Sequence, residues 1–491
     1  MTRAVFAFFF SFALSGCGAQ RPVALAPAPP VAALSPAESL RTDLKAIFDS
    51  PQFERAFWSV LVRPLTSSED LFALNAGKLM MPGSTMKVVT TAAAAEKLGW
   101  NHRFETRVVT AAPVESGIIR GDLVIIGGGD PGISERTDEP GALRSMAREL
   151  REAGITRIEG GIVGDDDLFD DKRLGDGWTL DNLPYGYSAP VGALMYNEGA
   201  VDLVIRAGES AGDAVEIQVR PAGSGLLVDN KLVTVAESGT GALTLQRQSG
   251  SSRLTVTGQI PAKSAPFTRT ASVDNPTAFF ASAFRLALAE QGIDVIGDAI
   301  DIDDFSAKPD LTSVRTLVTR QSRPLADLVA SMMKVSQNQY AEILQKFIGG
   351  RRGVQEALEA WGIGGDSYVA ADGSGLSRYN YVTSDALVRV LQRMHTDPKH
   401  ASSFPKVLPV AGRDGPLSKR LMGTAGEGKV QAKTGTVDNV RSIAGYVMSA
   451  DGETLVFSIV ANNFSLPSSV VDAAADRALV RLAAYSTYTR P

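Results

Sequence analysis

Apolar residues dominate the segment between Thr85 and Leu98, which leaves almost no polar face. The segment contains neither Gly nor Pro, and Gly99 follows directly, where a helix commonly ends. A helix that is apolar on nearly all sides is typical of a protein interior. The pattern therefore predicts a buried central helix, which follows the turn-forming pair Pro82-Gly83.

The spacing of apolar residues changes twice along the rest of the chain. Between residues 107 and 304, short strand-like runs are separated by Gly, Asp and Pro, which predicts inserted β-rich material. Helical patterns then return, and three antiparallel strands are predicted near the end, with a hairpin turn at Asp451-Gly452. We expect a mixed α/β (α+β) body formed by residues 37–106 and 305–491, with 107–304 inserted and a nested insertion at about 133–217.

The N-terminal segment predicts export. Arg3 precedes an apolar run from Ala4 to Leu14, which has the length of a signal-peptide core and is too short to span a bilayer stably. Residues 1–16 are therefore interpreted as a signal peptide. The run ends in Leu-Ser-Gly-Cys, which resembles the lipobox of bacterial lipoproteins, whose cysteine is lipidated. An ordinary cleaved signal with a chance cysteine is the alternative.

Cys17 is the only cysteine of the chain, which excludes an internal disulfide. Residues 17–36 are rich in Pro and Ala, and this composition favours an extended tether over a packed element. Lipidation of Cys17 implies a periplasmic protein that is anchored to a bacterial membrane. The outer membrane is favoured because the next residue, Gly18, is not the aspartate that serves as an inner-membrane signal in some bacteria.

Length and charge narrow the classes of function. A chain of 491 residues exceeds what one hydrophobic core usually serves, so two or three domains are expected. The formal net charge is −5 and the basic residues form no stripe, which gives nucleic-acid binding no electrostatic support. The three histidines lack metal-ligand spacing and are interpreted as surface residues. No serine lies in a nucleophile-elbow context, so a Ser-His-Asp triad is not indicated.

Ser84 and Lys87 stand three residues apart at the start of the predicted central helix. Residues at i and i+3 share a helix face, so the hydroxyl and the amine converge where free backbone N–H groups also point. Burial makes the charged form of a lysine costly, and its amine can then act as a base near neutral pH. The spacing indicates a serine that is activated by a lysine. A lysine that extends from the helix end into solvent is the alternative.

Two further short motifs follow in a fixed order. Ser336-Gln337-Asn338 lies between helical patterns, and Lys433-Thr434-Gly435 lies on a predicted strand. SxxK, SxN and KTG in this order form the signature of the serine penicillin-interacting enzymes. Far more sequence separates the first two motifs than a compact class A β-lactamase uses. The chain resembles the D-alanyl-D-alanine carboxypeptidase/endopeptidase family, the class C low-molecular-mass penicillin-binding proteins, from residue 37 to the end. Local matches are GGGDP, YSAPVGAL, DGSGLSR and LPVAG.

This resemblance implies a fold and a reaction. The fold is a penicillin-binding/β-lactamase-like transpeptidase domain, an antiparallel sheet flanked by helices, which a β-rich insertion of two nested smaller domains interrupts. The reaction is hydrolysis of the D-Ala-D-Ala bond of peptidoglycan stem peptides, and of D-Ala-diaminopimelate cross-links, through an acyl-enzyme. No cofactor or metal is implied, and β-lactam antibiotics are expected to act as covalent inhibitors.

The resemblance also assigns the catalytic residues. Ser84 attacks the scissile carbonyl, and Lys87 takes its proton. Ser336 relays a proton to the leaving amine, and Asn338 holds the substrate amide. The positive charge of Lys433 faces the terminal carboxylate of the substrate.

Further residues are expected to bind the substrate. Thr434 offers the terminal carboxylate a hydroxyl, within a motif that Gly435 completes. The backbone N–H groups of Ser84 and Thr436 would hold the oxyanion. In the family, the acid of a GDD-x-x-F stretch and an arginine of DGSGLSR read the diaminopimelate end of the peptide. Asp165 and Arg378 are the matching residues here; a solvated acidic turn and a loop arginine that caps carbonyls are the alternatives.

Two other functions stay open. The first is a β-lactamase or esterase on the same fold, but class A enzymes deacylate through a glutamate in an E-x-x-L-N context. The nearest sequence, from Glu139 to Arg144, has the wrong spacing and lacks the Asn. The second is a non-catalytic wall-binding scaffold with a vestigial site, and the intact motifs argue against it.

Overall fold

The computed structural model describes residues 34–136 and 140–488, together with isolated positions among the first eleven residues. Cys17 and most of the segments predicted as signal peptide (1–16) and tether (17–36) lie outside the described residues. Among the helices of this described part, none is both long and apolar enough to cross a membrane.

The described residues form ten α-helices, which belong to a main body and to an insertion. Their bounds are α1 (Pro36–Phe48), α2 (Met86–Leu98), α3 (Ala142–Glu152), α4 (Pro276–Glu290), α5 (Leu325–Val335), α6 (Asn338–Phe347), α7 (Gly350–Ala360), α8 (Ser384–Thr396), α9 (Phe404–Val407) and α10 (Ser468–Ala483). Of these, α3 and α4 lie in the insertion.

The strands of the described residues form six sheets. Their bounds are β1 (Phe57–Pro64), β2 (Phe72–Leu74), β3 (Glu105–Thr110), β4 (Val114–Glu115), β5 (Ile118–Ile119), β6 (Leu123–Ile126), β7 (Arg157–Ile158), β8 (Ile162–Asp165), β9 (Ala200–Arg206), β10 (Glu216–Arg220), β11 (Leu227–Val235), β12 (Ala242–Gln246), β13 (Arg253–Pro261), β14 (Phe267–Ser272), β15 (Asp294–Val295), β16 (Ala299–Asp301), β17 (Arg315–Gln321), β18 (Tyr368–Val369), β19 (Tyr381–Val382), β20 (Val430–Val437), β21 (Val440–Met448) and β22 (Thr454–Asn462). The short pair β18 and β19 forms a sheet of its own.

The main body is built on an antiparallel sheet with the strand order β2-β1-β22-β21-β20. Helices α1 and α10 pack on one face of this sheet, and α2 with α5–α8 packs on the other. Because both faces are covered, β22 is buried along almost its whole length. The three predicted C-terminal strands occur as β20, β21 and β22, with Gly452 at positive φ in the last turn. The predicted antiparallel sheet flanked by helices is confirmed.

The predicted central helix occurs as α2. Its residues from Met86 to Ala95 are all buried, including Lys87, and the helix contacts α6, α7 and α8. Gly99 ends it with φ +78° and donates its N–H to the carbonyl of Ala95. Ser84 lies just before the α-helix, in a 3-10 turn formed by Gly83–Thr85. The turn and the helix together carry the serine and the lysine.

The insertion contains four of the six sheets. The two larger sheets have the orders β16-β8-β6-β3-β17 and β15-β7-β5-β4, and two three-stranded sheets have the orders β10-β9-β14 and β11-β13-β12. Apolar side chains of α3 and α4 share one core with these strands. The β-rich character predicted for this part of the chain is therefore observed.

The limits predicted for the insertion do not follow the strand pairing. Strand β17, at Arg315–Gln321, pairs with β3, so it belongs with the inserted sheets although it lies beyond residue 304. The predicted nested range 133–217 contains β7 and β8, which pair with strands outside that range, and it omits β11–β14. How these sheets divide into folding domains stays a prediction.

Candidate active site

The turn that carries Ser84 is held between two other segments. A Cβ atom on Gly435 of β20 would lie 2.9 Å from the backbone nitrogen of Ser84 and 2.5 Å from the carbonyl oxygen of Pro82. On another side, a Cβ atom on Gly375 would lie 1.8 Å from the carbonyl oxygen of Gly83. These approaches are possible only because both positions are glycine. They fix the serine turn against the KTG strand and against the DGSGLSR segment.

Lys87 lies one helical turn after Ser84, near the start of α2, and is fully buried. Its Nζ atom is 2.9 Å from the Oγ of Ser84, 2.7 Å from the Oδ1 of Asn338 and 2.9 Å from the carbonyl oxygen of Ser374. The structure thus brings the first two sequence motifs together on one amine.

These three contacts orient the amine. The Oδ1 of Asn338 and the carbonyl of Ser374 can only accept hydrogen bonds, whereas the hydroxyl of Ser84 can donate or accept. A neutral amine carries two hydrogens and one lone pair. When its hydrogens bind the two obligatory acceptors, the lone pair of Lys87 faces the hydroxyl of Ser84. This is the geometry that a proton transfer from Ser84 requires.

The side-chain amide of Asn338 is fixed by the insertion. Its Nδ2 donates to the backbone carbonyl of Tyr187 at 2.7 Å, so its Oδ1 must face Lys87. The adjacent Gln339 donates from Nε2 to the carbonyl of Gly186 at 3.0 Å. The predicted YSAPVGAL segment, which contains Gly186 and Tyr187, is therefore bound to the start of α6.

Lys433 and Ser336 form a second lysine–serine contact. The Nζ of Lys433, which is also fully buried, donates to the Oγ of Ser336 at 2.8 Å and to the carbonyl of Thr434 at 2.8 Å. Ser336 ends α5 in the left-handed conformation, with φ +64°. This φ is uncommon for a residue other than glycine, and it places the hydroxyl between α5 and β20.

Burial lowers the proton affinity of both lysines. The loss of hydration lowers the pKa of Lys87 to about 7, although the negative charges of Asp372 and Glu342 act in the opposite direction. Burial also holds the pKa of Lys433 well below its ordinary value, and the nearby charge of Lys87 adds to this effect. Lys87 can therefore lose and regain a proton near neutral pH.

Two buried acids near the lysines were not predicted from the sequence as site residues. Glu342, on α6, accepts the N–H groups of Gly373 and Ser374. Asp372 accepts N–H groups of Gly375 and Ser377. The one available signal was that Glu342 follows Asn338 by four residues, on the same face of a helix.

An open cleft of about 430 Å³ leads to these groups. Ser84, Ser336, Asn338, Thr434 and Thr436 line it. The insertion contributes Asn182 and Tyr187, and the remaining lining residues of the described chain are Gly375, Leu376, Pro416, Val437 and Asp438. A Cβ atom on Gly83 would lie 3.1 Å from the backbone nitrogen of Thr436, so the serine turn and Thr436 lie side by side at the cleft.

The two predicted readers of the diaminopimelate end lie in different places. Arg378 donates to the carbonyl of Asp438 at 3.0 Å, at the edge of the cleft. Asp165 is 7% exposed, its carboxylate accepts the N–H of Asp167, and it is not among the residues of the described chain that line the cleft. Neither side chain is among the residues of the described chain that line the cleft, but Arg378 contacts Asp438, which does line it, whereas Asp165 ends a buried strand of an inserted sheet.

The acidic run that contains Asp165 is only in part the solvated turn of the alternative interpretation, since Asp165 and Asp166 are buried and Asp167 lies in an exposed turn. Asp166 is 6% exposed, and burial raises its pKa to about 6. Asp167 and Asp303 both accept hydrogen bonds from Lys308, at 2.7 Å. The side chains of the chain itself thus balance much of the negative charge of this cluster.

A serine whose hydroxyl faces a buried lysine, beside a KTG strand on an antiparallel sheet, defines a serine hydrolase of the penicillin-interacting class. The chain belongs to the D-Ala-D-Ala carboxypeptidase 3 (S13) family, whose sequence profile matches residues 40–485. The predicted family and the predicted enzyme class, a serine peptidase, are confirmed.

Relatives along almost the whole chain agree with this assignment. A D-alanyl-D-alanine carboxypeptidase of Actinomadura sp. (strain R39) is 36% identical over 474 residues, which cover 92% of this chain and 86% of the relative. The D-alanyl-D-alanine carboxypeptidase DacB of Haemophilus influenzae is 28% identical over 423 residues, which cover 82% of this chain and 85% of the relative.

Solved structures agree as well. The crystal structure of penicillin binding protein 4 (dacB) from Haemophilus influenzae matches with a TM-score of 0.77 at 26% identity, over 90% of this chain and 97% of that chain. A predatory peptidoglycan endopeptidase from Bdellovibrio bacteriovorus matches with a TM-score of 0.51 at 18% identity, over 86% of this chain and 91% of that chain. The predicted fold class is confirmed.

Proposed function

We propose that the protein is a serine DD-peptidase that removes the terminal D-Ala from peptidoglycan stem peptides. One observation carries the proposal: the Nζ of the buried Lys87 lies 2.9 Å from the Oγ of Ser84, with its other two contacts on obligatory acceptors. The carboxypeptidase activity named for the Actinomadura and Haemophilus relatives supports the choice of substrate.

The first half of the reaction forms an acyl-enzyme. The Oγ of Ser84 attacks the carbonyl carbon of the D-Ala-D-Ala bond while its proton moves to the Nζ of Lys87. The backbone N–H groups of Ser84 and Thr436 donate to the oxyanion, and each such donor lowers the barrier by about 2.7–4 kcal/mol in other hydrolases. The C–N bond then breaks, the leaving amine takes from Lys87, through Ser336, the proton that came from Ser84, and the acyl group stays on Ser84.

The second half releases the peptide. Water attacks the ester carbonyl, Lys87 takes a proton from this water, and the ester bond to Ser84 breaks as the Oγ regains a proton. Asn338 holds the amide of the acyl group in both steps. The protein thus ends the cycle in the protonation state in which it began.

The third motif selects the substrate. The ammonium group of Lys433 and the hydroxyl of Thr434 face the terminal carboxylate, which explains a preference for a peptide end over an internal bond. Gly435 contributes by its lack of a side chain, since a Cβ atom would press on the nitrogen of Ser84 at 2.9 Å. We further propose that Arg378 reads the carboxylate of a diaminopimelate side chain.

Cross-link cleavage and covalent binding of penicillin are part of the proposal. The acyl donor of a D-Ala-diaminopimelate cross-link is chemically the same D-Ala, and the cleft is open at its edge. A Haemophilus penicillin binding protein 4 structure, which matches with a TM-score of 0.71, is described as a complex with a β-lactam. This supports a β-lactam as a covalent inhibitor that acylates Ser84.

Turnover of defined substrates tests the function. The purified protein should release D-Ala from a diacyl peptide that ends in D-Ala-D-Ala, and Ser84→Ala should abolish the release. Mass spectrometry of digested muropeptides should show loss of pentapeptides and cleavage of dimers, scored separately. Binding of the peptide without any D-Ala release would favour a wall-binding scaffold, and release of a penicilloyl group within seconds would favour a β-lactamase.

The location is also a proposal. We infer that the protein is exported, lipidated at Cys17 and held in the periplasm at a membrane, with the outer membrane favoured. Cys17→Ala should move the protein from the membrane fraction to the soluble periplasmic fraction. A membrane fraction unchanged by this substitution would contradict lipidation at Cys17.

A further inference from the structure

Glu342 is a buried carboxyl group to which the reaction proposed above assigns no role. It lies on α6, one turn after Asn338, and is 6% exposed. Its Oε2 accepts the N–H of Gly373 at 3.1 Å, and its Oε1 accepts the N–H of Ser374 at 2.9 Å. Both oxygens of the side chain are therefore engaged by consecutive backbone groups.

The segment that Glu342 binds is the one that holds Lys87. The carbonyl of Ser374 accepts a hydrogen bond from the Nζ of Lys87 at 2.9 Å. The carbonyl of Gly373 accepts one from the Oγ1 of Thr90, also on α2, at 2.7 Å. A Cβ atom on Gly373 would lie 2.3 Å from a carbonyl oxygen of α6, so the segment packs directly on that helix.

Two amines and two carboxyl groups are buried near Ser84. Lys87 and Lys433 carry the amines, Glu342 and Asp372 carry the carboxyl groups, and none of the four is more than 6% exposed. Burial and the charge of Asp372 raise the pKa of Glu342, while the hydrogen bonds from the backbone N–H groups of Gly373 and Ser374 act in the opposite direction and favour the carboxylate. The negative charges of Asp372 and Glu342 both favour the protonated form of Lys87. A proton that reaches Lys87 is therefore stabilised by acids behind it.

We propose that Glu342 is a positioning residue for the reaction at Ser84. It fixes the carbonyl of Ser374 that aims Lys87 at the serine, and its charge stabilises the ammonium group that forms when Lys87 takes the serine proton. The inference rests on the proposed function, because it requires that Lys87 receive that proton. No other bond changes are assigned to Glu342.

The test compares Glu342→Gln with the wild type in single-turnover acylation by a labelled penicillin, over about pH 6 to 9. The substitution keeps the shape but removes the charge, and its NH₂ group cannot accept a backbone N–H. We expect the acylation rate at high pH to fall at least about tenfold. We also expect the midpoint of the rise in rate to move to lower pH, because loss of a negative charge lowers the pKa of Lys87.

Gln345→Ala is the matched control. Gln345 is buried on the same helix, and its side chain donates to the carbonyl of Ala370. Ala370 lies in the same connection between α7 and α8 as Gly373 and Ser374, but the side chain of Gln345 has no hydrogen bond to either of these two residues. It should change the rate little and leave the midpoint in place. In both variants, Lys433 and Asp372 still face Lys87. A Glu342→Gln profile that is unchanged, or lowered by one factor at every pH, would overturn the proposal.

Glu342→Asp serves if the glutamine variant does not fold. Its side chain is one methylene shorter and cannot reach both N–H groups, so the acylation rate should fall severalfold. Because the negative charge remains, the midpoint of the pH profile should move less than in Glu342→Gln. A wild-type rate in this variant would overturn the proposal. Failure of the underlying function is separable, because labelling that survives in Ser84→Ala contradicts the nucleophile, whereas an unaffected Glu342 variant contradicts only its positioning role.

Discussion

The Nδ2 of Asn338 donates to the backbone carbonyl of Tyr187 at 2.7 Å, across the boundary between the main body and the insertion. This bond decides which way the amide of Asn338 points, and hence that an oxygen rather than an NH₂ group faces Lys87. The insertion thus contributes to the active site by fixing one side chain as well as by lining the cleft with Tyr187.

Asn338→Asp should weaken the base. The new carboxylate cannot donate to Tyr187, and its charge next to Lys87 raises the pKa of the amine, so the lysine stays protonated at neutral pH. We expect acylation by a labelled penicillin to fall at least about tenfold at pH 7 and to recover in part as the pH rises. Asn439→Asp, which adds the same charge on the exposed turn after β20, is the control. Equal rates for wild type and Asn338→Asp at pH 7 would contradict this account of the amide.

Gly435→Ala should disable the site by displacing the serine turn. Its Cβ atom would meet the Oγ of Ser442 at 2.1 Å, the carbonyl of Pro82 at 2.5 Å and the nitrogen of Ser84 at 2.9 Å. A displacement of about 1 Å can cost 100-fold in rate, so the acylation rate should fall by about that factor. Gly77→Ala is the control, because Gly77 is exposed and a Cβ atom there meets nothing within 4 Å. Wild-type acylation by Gly435→Ala would show that the packing tolerates a methyl group.

Lys433→Gln should remove the preference for a free peptide end. A hydrogen bond to a charged group contributes about 1.5–3 kcal/mol, so kcat/KM for a D-Ala-D-Ala acid should fall about 10- to 100-fold relative to the corresponding terminal amide. Lys429→Gln, which removes a lysine just before β20, controls for net charge. An equal loss on the acid and the amide would indicate that Lys433 acts only through Ser336.

Arg378→Gln should affect the side chain of the substrate rather than its terminus. We expect kcat/KM to fall for a stem peptide that contains diaminopimelate and to change little for a diacyl-lysine peptide, because only the former presents a second carboxylate. Asp165→Asn should leave both values near those of the wild type, since Asp165 ends a buried strand and its carboxylate accepts the N–H of Asp167. A selective loss with Asp165→Asn instead would contradict this placement.

The short motifs made much of the site predictable, because their residues are neighbours in the sequence. Ser84 and Lys87 lie on one helical turn, and the three residues of the KTG motif are consecutive on one strand. The residues that the sequence did not indicate act across long separations. Glu342 contacts a segment about thirty residues away, and the carbonyl of Tyr187 comes from the insertion. A backbone carbonyl has no sequence signature.

The burial of a polar side chain was also difficult to predict where distant residues supply its hydrogen-bond partners. His400, which was interpreted as a surface residue, is fully buried. Its ring accepts the indole N–H of Trp100 at 3.2 Å and contacts the carboxylate of Glu96 at 2.8 Å. These partners satisfy both ring nitrogens, and they meet only in the folded chain. The surface interpretation was therefore wrong for His400.

The pH dependence of single-turnover acylation, followed by intact-protein mass spectrometry with a β-lactam, tests the role of Lys87 most directly. The pKa of Lys87 is lowered to about 7, and only the neutral amine can accept the serine proton. The account predicts one adduct per chain, located on Ser84 and absent in Ser84→Ala, with a rate that rises as the pH increases through about 7 and then levels. An adduct on another residue, or a rate that does not change across that range, would contradict it.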